Sequence, residues 1–62
     1  MKSFDLGDRV FVRLTSTISL IGELVVLGSY CLIELDAASA RVVGDTHYRT
    51  TVNALTHYRP LR

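Results

Sequence analysis

Cysteine occurs once in the 62 residues, as Cys31. A single thiol rules out an intrachain disulfide and a cysteine-ligated zinc site. Its place in an apolar run makes it a small core hydrophobe. Proline also occurs once, as Pro60, where it suits the end of an edge strand because no ladder donor is needed there. Long apolar runs are missing: the longest, residues 24–27 and 30–33, have four residues each, against the roughly 20 that a membrane-spanning helix requires. Met1-Lys2-Ser3-Phe4-Asp5 leads into a turn rather than an apolar segment. No secretory leader and no membrane partner are therefore expected, and the expectation is a soluble, cytoplasmic protein.

Charge of one sign is scarce as well. Seven Lys/Arg stand against six Asp/Glu, a formal net charge of +1, which is not the balance of a protein that coats nucleic acid by charge alone. Six of the seven cations are arginines, the cation suited to bidentate contacts with phosphate or base edges. The glycines Gly7, Gly22, Gly28 and Gly44 are isolated and form no phosphate-cradling loop. Ser16, Ser19, Ser29 and Ser39 lie in turns or on strand faces, none in a strand-to-helix elbow. His47 and His57 are the candidates for acid–base pairs with Asp45 or Asp36. Ten residues apart on separate strands, they read as surface polar residues, and no short His-x-His or His-x₃-His spacing points to a metal. The expectation is a protein without a catalytic constellation, metal site or cofactor.

What is present is one apolar stretch, residues 10–35, VFVRLTSTISLIGELVVLGSYCLIEL. Val10, Val12 and Leu14 alternate with Phe11 and Arg13, the period of a strand with one buried face. Ile18, Leu20, Leu24 and Val26 continue the alternation, with Gly22 in the same register. Tyr30 to Leu35 forms a third run after Gly28-Ser29. A mid-strand glycine weakens a sheet unless a bend or a close backbone approach requires it. The pattern predicts strands over residues 9–15, 18–27, 30–36, 41–43 and 46–52, with the edge segment 55–60 closing the chain. Turns are expected at Gly7-Asp8, 15–17 and Gly44-Asp45, and one 3₁₀ turn at 52–54. Ala37-Ala38-Ser39-Ala40 fits either a loop or a helical turn. No segment holds a helical period over ten residues, so the class is all-β, and the whole chain, 1–62, is expected to be a single small barrel with residues 1–6 as a lead-in that Phe4 and Leu6 tack down.

A chain of this length buries only about 60% of its unfolded surface, and small domains are commonly supported by disulfides, metals or oligomerisation. Oligomerisation is what remains. If Val10, Val12, Leu14, Ile18, Leu20, Leu24 and Val26 face inward, then Phe11, Ile21, Val25 and Leu27 form an outward apolar face, which predicts a subunit interface. The C-terminal third repeats itself: Thr46-His47-Tyr48-Arg49 returns as Thr56-His57-Tyr58-Arg59. On neighbouring edge strands these would make a band of His, Arg and Tyr. Single-stranded nucleic-acid binders need aromatic platforms and a few cations. Tyr30, Tyr48 and Tyr58 with Arg49 and Arg59 are the candidates.

Three segments, Val10-Phe11-Val12-Arg13-Leu14, Ile18-Ser19-Leu20-Ile21-Gly22 and Tyr30-Cys31-Leu32-Ile33, together resemble the first motif of Sm-like proteins, especially bacterial Hfq. Residues 51–60, Thr-Val-Asn-Ala-Leu-Thr-His-Tyr-Arg-Pro, are similar to the second motif of that family. Gly28 stands where the family usually has aspartate, Thr17 where its turn has glycine, and Val52-Asn53 where a Lys-His pair grips uridine-rich RNA. The helix that precedes the barrel in Hfq has no room here. The resemblance implies a five-stranded, strongly bent SH3-like (Sm-like) open barrel, assembled as a homo-oligomeric ring that binds single-stranded RNA without enzymatic activity. Tyr30 matches the base-stacking aromatic, with Ser29 beside it and Asn53 as a base-edge contact. Arg59 adds charge, although no family motif includes it. The alternative is an SH3-like structural or adaptor barrel that binds a protein partner. Gly7-Asp8-Arg9-Val10 and Val52-Asn53-Ala54-Leu55 also resemble the plasmid-borne type II dihydrofolate reductases. The Val-Gln-Ile-Tyr segment of their active pore is replaced by His47-Tyr48-Arg49-Thr50, so that activity is not expected.

Overall fold

The computed structural model describes residues 3–59; the expected role of Pro60 lies outside the described residues. Five strands, β1 (Arg9–Arg13), β2 (Ser19–Leu27), β3 (Cys31–Leu35), β4 (His47–Thr50) and β5 (Thr56–His57), form one antiparallel sheet in the order β4-β3-β2-β1-β5. The all-β class holds. A helix, α1 (Ala37–Val43), joins β3 to β4, and the 3₁₀ turn falls at Val52–Ala54 as expected.

The strand β2 serves two neighbours with different parts of its length. Its residues from Ser19 to Glu23 pair with β1, and those from Gly22 to Leu27 pair with β3. The overlap falls at Gly22, opposite both Val10 and Leu35. A Cβ at Gly22 would lie 2.2 Å from the Glu34 carbonyl oxygen and 2.7 Å from Cγ2 of Ile33. A close backbone approach is thus the reason for the mid-strand glycine.

Behind the sheet, Phe4, Val10, Val12, Leu20, Leu24, Cys31, Ile33, Leu35 and Leu55 form the core, with Ala40, Val43 and Tyr48 packed against it. Cys31 is fully buried, as its sequence context suggested. Three inward assignments need correction. Leu14 and Ile18 are exposed, because β1 ends at Arg13 and the chain turns. The Ile18 carbonyl accepts the amides of Leu14 and Thr15, and Thr15 Oγ1 accepts those of Thr17 and Ile18. Val26 changes face because of a bulge between Leu24 and Val26: Leu24 pairs with Ile33, but Val26 pairs with Leu32 and Leu27 with Cys31. One extra residue reverses the alternation beyond it. Of the lead-in pair, Phe4 is buried and Leu6 is exposed.

The fourth predicted strand, residues 41–43, is instead the last turn of α1. Asp36 enters with extended backbone, alanines favour the helix, and Gly44 stops it at φ +72°, its amide donating to the Ala40 carbonyl at 2.8 Å. Gly44-Asp45 is therefore a helix cap. Packing outweighs the strand preference of Val42-Val43, since Ala40 and Val43, one turn apart, both reach the core. The helix also continues the ladder where β3 ends. The Asp36 amide donates to the Ile21 carbonyl at 2.9 Å, and the Ile21 amide donates to Oγ of buried Ser39 at 2.8 Å.

Candidate functional site

Ser29 and Tyr30 occupy the turn between β2 and β3, and both are exposed. The neighbouring pair Cys31 and Thr50 brings the end of β4 to the same end of the sheet. The chain then passes through Val52–Ala54, so the exposed Asn53 follows three residues after Thr50. Ser29, Tyr30 and the end of β4 thus share one end of the sheet. The Tyr58 amide donates to the Arg9 carbonyl at 2.9 Å, which puts Arg59 beside the start of β1.

A cation meets this end of the sheet in Arg49. Its Cζ lies 4.2 Å from the centre of the Tyr30 ring. The register accounts for the contact. Arg49 is opposite Leu32, and Tyr30, two residues before Leu32, shares its face and forms a diagonal neighbour of Arg49. The guanidinium over the ring is a cation–π arrangement. With Leu27 39% and Tyr30 37% exposed, this end of the sheet combines a planar cation, an aromatic ring and an apolar side chain, beside Ser29. The signal that would have singled out Arg49 is the period: two residues of β4 on one face, one of them opposite the residue that follows Tyr30 on its own face.

The expected band of His, Arg and Tyr is not formed by neighbouring edges, because β4 and β5 stand at the two ends of the strand order. Tyr48 turns to the core. The histidines also take other partners than Asp45 and Asp36. The His47 ring is hydrogen-bonded to Thr46 Oγ1 at 2.8 Å, and Asp45 Oδ1 receives the His47 backbone amide at 3.2 Å. His57 Nε2 lies 3.2 Å from Asp8 Oδ2, and its ring stacks on Phe4 with centroids 4.3 Å apart. The Asp5 amide, and after it His57, hold the Asp8 carboxyl below the usual carboxylate range. Asp36 binds Arg9 through both carboxylate oxygens, with Nη1–Oδ1 at 3.0 Å. Hydrogen bonds from Arg9 hold the Asp36 carboxyl below its ordinary value, and the carboxylate raises Arg9 in return.

Among the described residues, no group of three or more His, Cys, Asp or Glu is placed to hold a metal ion, and no helix is long and apolar enough to cross a membrane. Comparison of the chain with family models, curated proteins and solved structures gives no match.

Proposed function

We propose that the chain is a non-enzymatic, Sm-like RNA-binding module that assembles as a homo-oligomer and binds single-stranded RNA at the Tyr30 rim. The observation that carries this reading is Arg49 stacked over the exposed Tyr30 ring at 4.2 Å. Bases of single-stranded RNA stack on aromatic rings and on guanidinium planes, and such stacking contributes about 1–3 kcal/mol per base. Ser29 and Asn53 supply donors and acceptors for base edges. Arg49 takes the role expected of Arg59.

The strand pairing supports an SH3-like open barrel. A strand whose first half serves β1 and whose second half serves β3, with a glycine at the overlap, is the connection a strongly bent small sheet needs. Assembly is supported by the half-buried Phe11, Ile21, Val25, Val26 and Leu32 on the outer face, and by two terminal strands each paired on one side. In a ring, weak contacts at each rim add through effective concentration. The bulge moves Val26 to that outer face and Leu27 to the rim.

The test is anisotropy titration of U-rich and A-rich oligoribonucleotides at several salt concentrations, with light scattering on the same samples. Binding that weakens with salt, and drops tenfold or more in Tyr30→Ala with the mass unchanged, supports the reading. A monomer with no salt-dependent RNA binding refutes it. Protein capture through the same rim, undiminished by RNA, would favour the adaptor barrel.

A further inference from the structure

The N-terminal lead-in is fastened to the sheet by one ionisable side chain from the other end of the chain. Residues 5–8 form a turn closed by the Asp8 amide donating to the Asp5 carbonyl at 3.1 Å, with Gly7 at φ +90°. The turn is tied to β2 by two hydrogen bonds: Gly7 N–H to the Leu24 carbonyl at 2.8 Å and Leu24 N–H to the Asp8 carbonyl at 2.9 Å. Ahead of the turn, Phe4 enters the core and is 7% exposed. His57 touches this strap twice. Its ring lies on the Phe4 ring at an interplanar angle of 28°, and its Nε2 reaches Asp8 Oδ2, the same oxygen that accepts the Asp5 amide.

We propose that His57 is a pH-dependent latch that holds residues 4–8 against the sheet when protonated and loosens them when neutral. A neutral imidazole N–H gives Asp8 an ordinary hydrogen bond. An imidazolium makes a charge-assisted one and turns the stacked Phe4 face into a cation–π partner. Histidine is the side chain that changes charge between about pH 5 and 8, whereas the Asp8 carboxyl, held below the usual carboxylate range, stays ionised across that window.

Among the described residues, the other charges around His57 are directed elsewhere. Arg9, on β1 next to Val10, is bound to Asp36, and Val10, not Arg9, is the residue opposite His57. Glu23 lies opposite Arg9 on the far face. Tyr58 and Arg59 follow on the chain of His57 itself, and Arg59 is exposed. Asp8 is the carboxylate that meets the ring. The consequence is local: the sheet persists, and the strap with its Phe4 anchor opens more often at alkaline pH.

Amide hydrogen exchange of the full chain, read residue by residue by NMR, tests this. The amides of Gly7 and Leu24 report the strap, and the β3 amides serve as internal reference. Protection of Gly7 and Leu24 relative to β3 is expected to be about three- to tenfold higher near pH 5.5 than near pH 8, in line with a half-exposed ion pair and one ring contact. His57→Gln and, independently, Asp8→Asn are expected to abolish the difference, while His47→Gln keeps it. Equal protection at both pH values in the parent overturns the latch. So does a pH effect that survives in either His57→Gln or Asp8→Asn.

Discussion

Replacing Gly22 by alanine tests the architecture at its tightest point. The added Cβ would sit 2.2 Å from the Glu34 carbonyl oxygen, 2.7 Å from Ile33 Cγ2 and 2.9 Å from the Glu34 carbonyl carbon. Two of these atoms are backbone, and Ile33 is fully buried, so no flexible side chain can swing aside. Relief requires β2 and β3 to part at the place where β2 passes from one neighbour to the other. Overpacking a rigid site costs about 1–3 kcal/mol and occasionally more. With backbone on the receiving side, we expect about 3 kcal/mol. A domain of this size holds about 3–9 kcal/mol in all, and each kcal/mol is worth about 4–8 °C in melting temperature. Gly22→Ala should therefore melt about 12–24 °C below the parent, or fail to fold. Gly28→Ala is the matched control: a Cβ there meets nothing within 4 Å and Gly28 has no positive φ, so its melting temperature should move by only a few degrees. Thermal unfolding followed by circular dichroism separates the two. A Gly22→Ala chain melting within about 3 °C of the parent would refute the close-approach argument.

Three further outcomes follow from single contacts. Ser39→Ala removes the hydroxyl that receives the Ile21 amide, and leaving a half-buried donor unpaired should cost about 1–3 kcal/mol in denaturant unfolding; no loss would mean that water takes over the amide. Glu34→Gln should stabilise by a few tenths to about 1 kcal/mol, because Glu34 and Glu23 face each other directly across β2 and β3, and the gain should shrink at high salt. In acid, the lowered carboxyls of Asp8 and Asp36 bind protons less readily in the folded chain than in the unfolded one. Their contribution is full above the ordinary carboxylate range and is lost as pH falls from about 5 towards 2. The chain carrying Asp8→Asn and Asp36→Asn together should lose less stability over that interval than the parent, and an equal loss would contradict the assignment.

Much of the sheet was legible because its signal is local. The period-2 pattern of Val10, Val12, Leu20 and Leu24, the mid-strand Gly22 and the 3₁₀ turn all announce themselves within a few residues. What was not legible depends on contacts from outside the segment. Arg41-Val42-Val43 has strand-like side chains, yet Ser39 bonding to Ile21 and Val43 packing on the core turn it into helix. The bulge after Leu24 leaves no local trace, and it reverses Val26 and Leu27. Phe11, Ile21, Val25, Val26 and Leu32 sit in the half-buried range. At the candidate site, Tyr30 and its turn could be named from sequence, whereas choosing Arg49 over Arg59 required the register between β3 and β4. The partners of the histidines were hidden for the same reason: Asp8 and His57 are 49 residues apart.

The most direct test of RNA binding at the Tyr30 rim is an NMR titration of the labelled chain with a short U-rich or A-rich oligoribonucleotide. Shifts are expected to centre on Ser29, Tyr30, Arg49 and Asn53, to spare Arg59 and α1, and to fade as salt rises. An unchanged spectrum, or shifts centred on α1 or on the β1–β2 turn, would contradict the account.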